Sequence, residues 1–415
     1  MTSSSYEQPL PAGLAGSLGP GYTSTGEEVP FELMGDFPAG SLTVSAPDFA
    51  AFMNAQLSRS PKLLREETWE QMWSPGLGKE RLGNRAKAGE MGLGYFELTR
   101  HGRRIVEHSG DHRQGWHSKF ELYPEEKTGI FISYNGDGNE EASSSLREDL
   151  AQGFADRYFP GETVKASGSK DSAERARQVA GSYLSSLNPW NTFLAAWSPS
   201  FGKATIEHTG GGKLILDKAQ YVEVEPWVWR QVDGRGAIAA QVKDGKVVSL
   251  SQGPALTLIP VTPVQQALAP VFGVCLVLLL VATVAWPVGA LRRRRALKRG
   301  QEVGAPVPWW TRVARGGGAL ALAAQLTWIL LLATISKGLS SNGSLTWLVP
   351  VIRGAQVLQA LGVVAIIPAA ADLVMSLRRR AGWRRVTMSA VLLTALVALA
   401  WWAWAGNALV PSLGM

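Results

Sequence analysis

Four long apolar runs crowd the last third of this 415-residue chain, at about Ala267–Leu291, Gly318–Ile335, Ile352–Met375 and Val386–Gly406. A helix of ~20 apolar residues is ~30 Å long, enough to cross the hydrocarbon of a bilayer. Each Leu, Ile, Val or Phe near the middle of such a helix favours insertion by roughly 0.3–0.6 kcal/mol. These runs predict four transmembrane helices and argue against a wholly water-soluble globule. The first 260 or so residues differ in kind: they are rich in Gly, Ser, Glu and Lys and read as a soluble portion.

The net charge of +7 is no nucleic-acid footprint, because the densest basic clusters flank the apolar runs. Arg292, Arg293, Arg294, Arg295, Lys298, Arg299, Arg312 and Arg315 separate the first two runs; Arg378, Arg379, Arg380, Arg384 and Arg385 separate the last two. Between the second and third runs stand only Lys337 and, at the far end, Arg353. Arg-rich connections stay in the cytoplasm. The soluble portion and the C-terminus are then extracytoplasmic, in a multi-pass protein whose partner is the lipid bilayer. Asp372, the acidic residue inside a run, is expected to snorkel to the interface near Arg378. The lone cysteine, Cys275, permits neither an internal disulfide nor a Cys-based zinc site. No cofactor is implied.

The soluble portion reads as α+β. Residues 1–40 are broken by prolines. Ser45 caps a helix whose stripe is Phe49, Phe52, Met53 and Leu57, with Asp48 placed for a capping box. A short helix over 65–73 follows. Strands are predicted at 93–99, 104–108, 118–123 and 128–134; their short connections make an antiparallel sheet, against which a helix over 141–159 packs. The expected division is residues 1–162, a linker at 163–174, an all-β module at 175–262 and a membrane domain at 263–415. The module opens with a helix over 173–184. Strand candidates then follow at 203–208, 213–217, 221–225, 228–231, 237–242 and 247–251, spacing that suggests a small barrel or sandwich.

The most informative stretch is Glu107-His108-Ser109-Gly110-Asp111-His112-Arg113-Gln114-Gly115-Trp116-His117-Ser118, followed by paired strands ending at Asn135. With Pro38-Ala39-Gly40-Ser41-Leu42 and the helix after Ser45, it resembles the serine β-lactamase and penicillin-binding-protein-like hydrolases, over the C-terminal half of their domain. His108-Ser109-Gly110 matches that family's third active-site motif, which lies on an edge strand beside the nucleophile. An edge strand offers backbone N–H groups to a carbonyl, and Gly lets the substrate approach. The resemblance implies a partial antiparallel sheet of the β-lactamase/transpeptidase type and a backbone oxyanion contribution at Asp111. It further implies acyl-enzyme chemistry on peptidoglycan peptides, β-lactams or small esters.

The family's Ser-x-x-Lys and Tyr-x-Asn motifs are expected ahead of Met1, and so is a signal peptide. Ser167-Gly168-Ser169-Lys170 and Ser200-Phe201-Gly202-Lys203 are chance copies downstream of the His-Ser-Gly strand. Ser needs an adjacent base to become a nucleophile, so this chain is expected to turn over no substrate. Two alternatives stay open. One is a non-catalytic membrane-bound protein that binds or senses the cell wall. The other is a metal hydrolase using His108, His112, His117 and Asp111.

Overall fold

The computed structural model describes residues 1–31, 33–34, 38–74, 76, 79–112, 115–161, 165–232, 234–301, 307–340 and 346–412. Arg113 and Gln114 of the His-Ser-Gly stretch lie outside the described residues. The chain forms two compact units, Met1–Ser186 with Ala204–Pro260, and Leu187–Lys203 with Val261–Met415.

In the first unit the proline-broken start carries only short elements: β1 (Ser4–Ser5), α1 (Ala12–Ala15), β2 (Gly21–Tyr22), β3 (Glu28–Val29) and β4 (Thr43–Val44). Strand β1 pairs with β4, and β2 with β3. Helix α2 (Ala46–Leu57) starts at Ser45, whose hydroxyl accepts the Asp48 N–H at 3.4 Å. The Asp48 carboxylate does not complete a capping box. It accepts the Ser3 N–H at 2.7 Å and the Ser4 hydroxyl at 2.6 Å, strapping β1 to the helix. Helices α3 (Glu66–Trp73) and α4 (Lys79–Leu82) follow.

A five-stranded antiparallel sheet comes next in chain order: β5 (Glu90–Met91), β6 (Phe96–Arg100), β7 (Arg103–Asp111), β8 (His117–Tyr123) and β9 (Thr128–Tyr134). His101 and Gly102, both at positive φ, make the two-residue β6–β7 turn. One face of the sheet packs Val106, Phe120, Leu122 and Phe131 against the predicted stripe of α2 and against Trp69 and Trp73 of α3. Phe49 stacks on Phe131 at 4.1 Å. The other face lies under α5 (Ser143–Tyr158) and is partly ionic.

Burial of charge on that face is extensive. Glu107 and Glu121 are cross-strand neighbours, and Glu121 is 0% exposed. Lys119 contacts Glu107, lies 2.8 Å from Glu148 of α5 and 3.6 Å from Glu121. Arg235 also contacts Glu121 and lies 3.6 Å from Glu148. Tyr123 donates its hydroxyl to Glu121 at 2.7 Å. Buried carboxylates persist only where cations and donors replace water. Burial pushes the Glu107 carboxyl above its ordinary value, and Lys119 pulls it partly back.

The remaining strands close into an eight-stranded barrel: β10 (Gly181–Ser185), β11 (Lys203–Thr209), β12 (Lys213–Leu216), β13 (Ala219–Glu225), β14 (Val228–Gln231), β15 (Ala237–Lys243), β16 (Lys246–Gln252) and β17 (Thr257–Pro260). The helix expected through Leu184 stops early: α6 is Ser172–Val179, and Tyr183 and Leu184 belong to β10. Their side chains join Trp229, Ile238, Leu214 and Leu250 in a buried core, with Ala176 and Val179 of α6 against it. Trp229 donates its indole N–H to the Gly212 carbonyl at 3.0 Å. An eight-stranded barrel has room for little more than its own side chains, and this one is filled by them.

The second unit contains α7 (Ser198–Phe201), α8 (Pro263–Lys298), α9 (Trp309–Ser340), α10 (Val349–Val364), α11 (Ile366–Arg378) and α12 (Trp383–Ala405). Among the described residues, four segments are long and apolar enough to cross a membrane; α10 and α11 form one of them, broken at Ala365 three residues before Pro368. Thr262 and Gln265 make a capping box at the start of α8.

Asp372 departs from the expected snorkelling. It is buried, takes the Thr311 hydroxyl and, at 2.7 Å, the Ser389 hydroxyl, and has Arg385 at 3.8 Å. Its partners come from α9 and α12, so the charge is satisfied inside the bundle.

Candidate functional site

Strand β7 is internal to the sheet, not an edge as the family resemblance implied. Its pairing with β6 runs only as far as Phe96 opposite Glu107, whereas β8 pairs with it out to Asp111. His108, Ser109, Gly110 and Asp111 therefore overhang β6 and present a free margin on that side. The overhang arises because β6 is five residues long and β7 is nine. Its backbone groups are those that strand pairing leaves available.

The four predicted site residues divide. His108 is exposed and stacks its ring on Phe96, centroids 5.0 Å apart. Ser109 lies opposite Lys119. Gly110 and Asp111 line a cleft of about 580 Å³ that His112, Trp116, Ser118, Phe131 and Ser133 also border. A Cβ at Gly110 would meet nothing within 4 Å, so the space beside its backbone is open. The far wall of the cleft comes from the first 46 residues, including Leu10, Leu14, Leu42 and the Ser41 expected to belong to the site region. No lysine lines the cleft among the described residues.

The Asp111 side chain is part of a network that holds the β7–β8 tip. Its carboxylate is 2.7 Å from His117 Nδ1 and accepts Arg147 at 2.9 and 3.2 Å and the Ser144 hydroxyl at 3.0 Å. Burial pushes this carboxyl up, but the bonds from His117, Arg147 and Ser144 outweigh it and hold it below the usual aspartate range. Arg147, buried on α5, also donates to the Gly110 carbonyl at 3.2 Å and the Ser118 carbonyl at 3.0 Å. It thereby sets the position of the Gly110–Asp111 backbone.

His117 Nε2 is 3.0 Å from Asp137 Oδ1, and the same oxygen accepts the Gly115 N–H at 2.7 Å. Gly115 has φ +90°, and a Cβ there would sit 2.9 Å from the Gly21 backbone, so only glycine fits. Ser144, His117 and Asp137 have the composition of a catalytic triad, with Ser144 Oγ 3.2 Å from His117 Nδ1. The arrangement does not activate Ser144. Ser144 instead donates its hydroxyl to Asp111 Oδ1 at 3.0 Å, and each ring nitrogen of His117 already has a carboxylate oxygen within 3.0 Å. Nor do the histidines converge as the metal reading requires: among the described residues no three His, Cys, Asp or Glu side chains are placed to hold an ion.

Asp137, Ser144 and Arg147 carry no sequence signal of their role. Arg147 on a polar helix looks like a solvated charge, and only the fold reveals its acceptors on Gly110, Asp111 and Ser118.

Residues 1–153 match the family model described as Beta-lactamase. This stretch is similar to the Beta-lactamase family. The match covers the whole sheet and most of α5, and leaves the barrel and the membrane helices outside it. No curated protein matches the chain. The chain thus combines a segment similar to the Beta-lactamase family with four helical segments long and apolar enough to cross a membrane.

Proposed function

We propose that the β-lactamase-related segment is the substrate-facing wall of an extracytoplasmic, membrane-anchored serine hydrolase of the acyl-enzyme type, with peptidoglycan peptides, β-lactams or small esters as its substrate class. One observation carries the reading. The free β7 overhang brings Gly110 and Asp111 to a 580 Å³ cleft with open space beside Gly110. In this role the Asp111 N–H donates to the oxygen of the attacked carbonyl, which gains negative charge as the tetrahedral intermediate forms. His108 and Ser109 precede Gly110 and Asp111 on the same strand, outside the cleft lining. Arg147 acts as a positioning residue through the Gly110 carbonyl.

The cleft lining offers serines but, among the described residues, no lysine to activate one. The cleft then binds acyl compounds without turning them over. The same observation favours a second reading, a non-catalytic protein that binds cell-wall fragments in this cleft.

The test incubates the full chain in nanodiscs with a fluorescent penicillin and with a fluorophosphonate. Reversible penicillin binding without a covalent adduct is expected. A covalent adduct would refute the absence of turnover, and no detectable binding would refute the assignment of the cleft. Binding of peptidoglycan fragments in place of penicillin would select the second reading.

The orientation belongs to the proposal as well. Arg292–Arg295 and Arg378–Arg380 mark the cytoplasmic side by their charge. In intact cells a membrane-impermeant maleimide is expected to label Lys246→Cys on β16 and to spare Lys298→Cys at the end of α8.

A further inference from the structure

The stretch Leu187–Lys203 connects β10 and β11 in sequence, yet it packs with the membrane helices. From Gly181 to Gly202 it has no charged residue and reads GSYLSSLNPWNTFLAAWSPSFG. Phe193 stacks on Trp328 of α9 with ring centroids 5.4 Å apart. Trp197 packs edge-on against Phe272 of α8 at 4.7 Å and against Trp402 of α12 at 5.4 Å. Asn407 donates its side-chain amide to the Trp190 carbonyl at 2.9 Å.

The contacts on α8 and α9 lie well inside those helices, and the one on α12 lies within a turn of its end. At ~1.5 Å per residue, Phe272 is about 13 Å along α8 from Pro263, Trp402 about 5 Å before the end of α12, and Trp328 about 18 Å before the end of α9. Backbone at such a level needs its polar groups satisfied without water. The stretch does this locally. Leu194 N–H donates to Thr192 Oγ1 at 3.2 Å, Ala195 N–H to the Thr192 carbonyl at 3.0 Å, Trp197 N–H to the Leu194 carbonyl at 3.0 Å and Gly202 N–H to the Ser198 carbonyl at 2.9 Å. Meanwhile Leu187 and Phe201 point outward, 78% and 76% exposed. Facing water, two large apolar side chains this bare are unfavourable; facing acyl chains, they are not.

We propose that Leu187–Lys203 is a re-entrant membrane element. It enters the outer leaflet beside α8, α9 and α12, seats Phe193 and Trp197 in the bundle, and turns Leu187 and Phe201 towards the lipid acyl chains. Its partner is the bilayer itself. The proposal is independent of what the cleft binds.

The test attaches a nitroxide label at Leu187→Cys, at Phe201→Cys and, as the aqueous reference, at Lys246→Cys, each in the full chain with Cys275→Ala, reconstituted in phosphatidylcholine vesicles. Accessibility to oxygen, which concentrates in lipid, is compared with accessibility to a water-soluble nickel chelate. Oxygen is expected to dominate at 187 and 201, and nickel at 246. Nickel dominating at either 187 or 201 would overturn the proposal. All three substitutions are at exposed positions, and an unchanged gel-filtration profile confirms that each variant is folded. If Cys275→Ala disturbs the bundle, Cys275→Ser serves as the background.

Discussion

Replacing Lys119 with Met tests the buried ionic face of the sheet. The substitution keeps most of the length of the side chain and removes its charge. Glu107 then loses its contacting cation, and Glu121 keeps only Arg235. Breaking a buried pair by deleting one partner costs about 3–5 kcal/mol. Hydrogen exchange of the β8 and β9 amides in the full chain reads this as local opening faster by roughly two to three and a half decades, at ~1.4 kcal/mol per decade.

The pH dependence gives the test its sign. Burial raises the Glu107 carboxyl in the folded protein, so the folded state binds the proton more tightly than the unfolded chain. Stability from this group is present below the ordinary glutamate value and falls as pH rises through the raised one. Lys119 is the strongest influence lowering it, so Lys119→Met carries it higher still. The variant's deficit should be larger at pH 8 than at pH 5. Adding Glu107→Gln should recover part of it. A deficit below about 0.5 kcal/mol, the size of an ordinary surface change, would refute the reasoning, as would one equal at both pH values.

Three further outcomes are expected. Trp229→Ala empties the barrel core and should cost about 3–5 kcal/mol, read by urea unfolding of the full chain; a cost under 1 kcal/mol would mean the core collapses to fill the space. Gly110→Leu points a side chain into open space, so stability should change by no more than about 0.5 kcal/mol while penicillin binding is lost, read by thermal melting beside fluorescence polarisation. Asp111 is held low by its partners, so its contribution is present above the ordinary aspartate value and disappears as pH falls through the lowered one; amide protection at the β7–β8 tip should weaken on acidification, and Asp111→Asn should remove that dependence.

Periodicity made much of the architecture legible. Alternation of apolar and polar residues located six of the eight barrel strands, and the spacing of Phe49, Phe52, Met53 and Leu57 located α2 and its buried face. Strand β10 was hidden because Tyr183 and Leu184 continue the helical period of α6 across Gly181. The stretch Leu187–Lys203 was hidden for a different reason: it is too short for a span and too broken by Pro189 and Pro199 for a helix. In the site, His108-Ser109-Gly110-Asp111 was visible as a motif, but only two of its four members line the cleft. Gly110 and Asp111 reach the cleft, while His108 is drawn to Phe96. The carboxylates and guanidinium that brace the tip come from β7, α5 and the connection between β9 and α5, positions whose convergence no local pattern encodes.

The knot around Asp372 has a mechanical consequence. Thr311, Asp372 and Ser389 each stand on a different helix, and all meet at one carboxylate. A helix that slid by a single turn, about 5.4 Å, would strand that negative charge in oil with no hydroxyl to greet it. The axial register of α9, α11 and α12 is therefore tied to that one carboxylate.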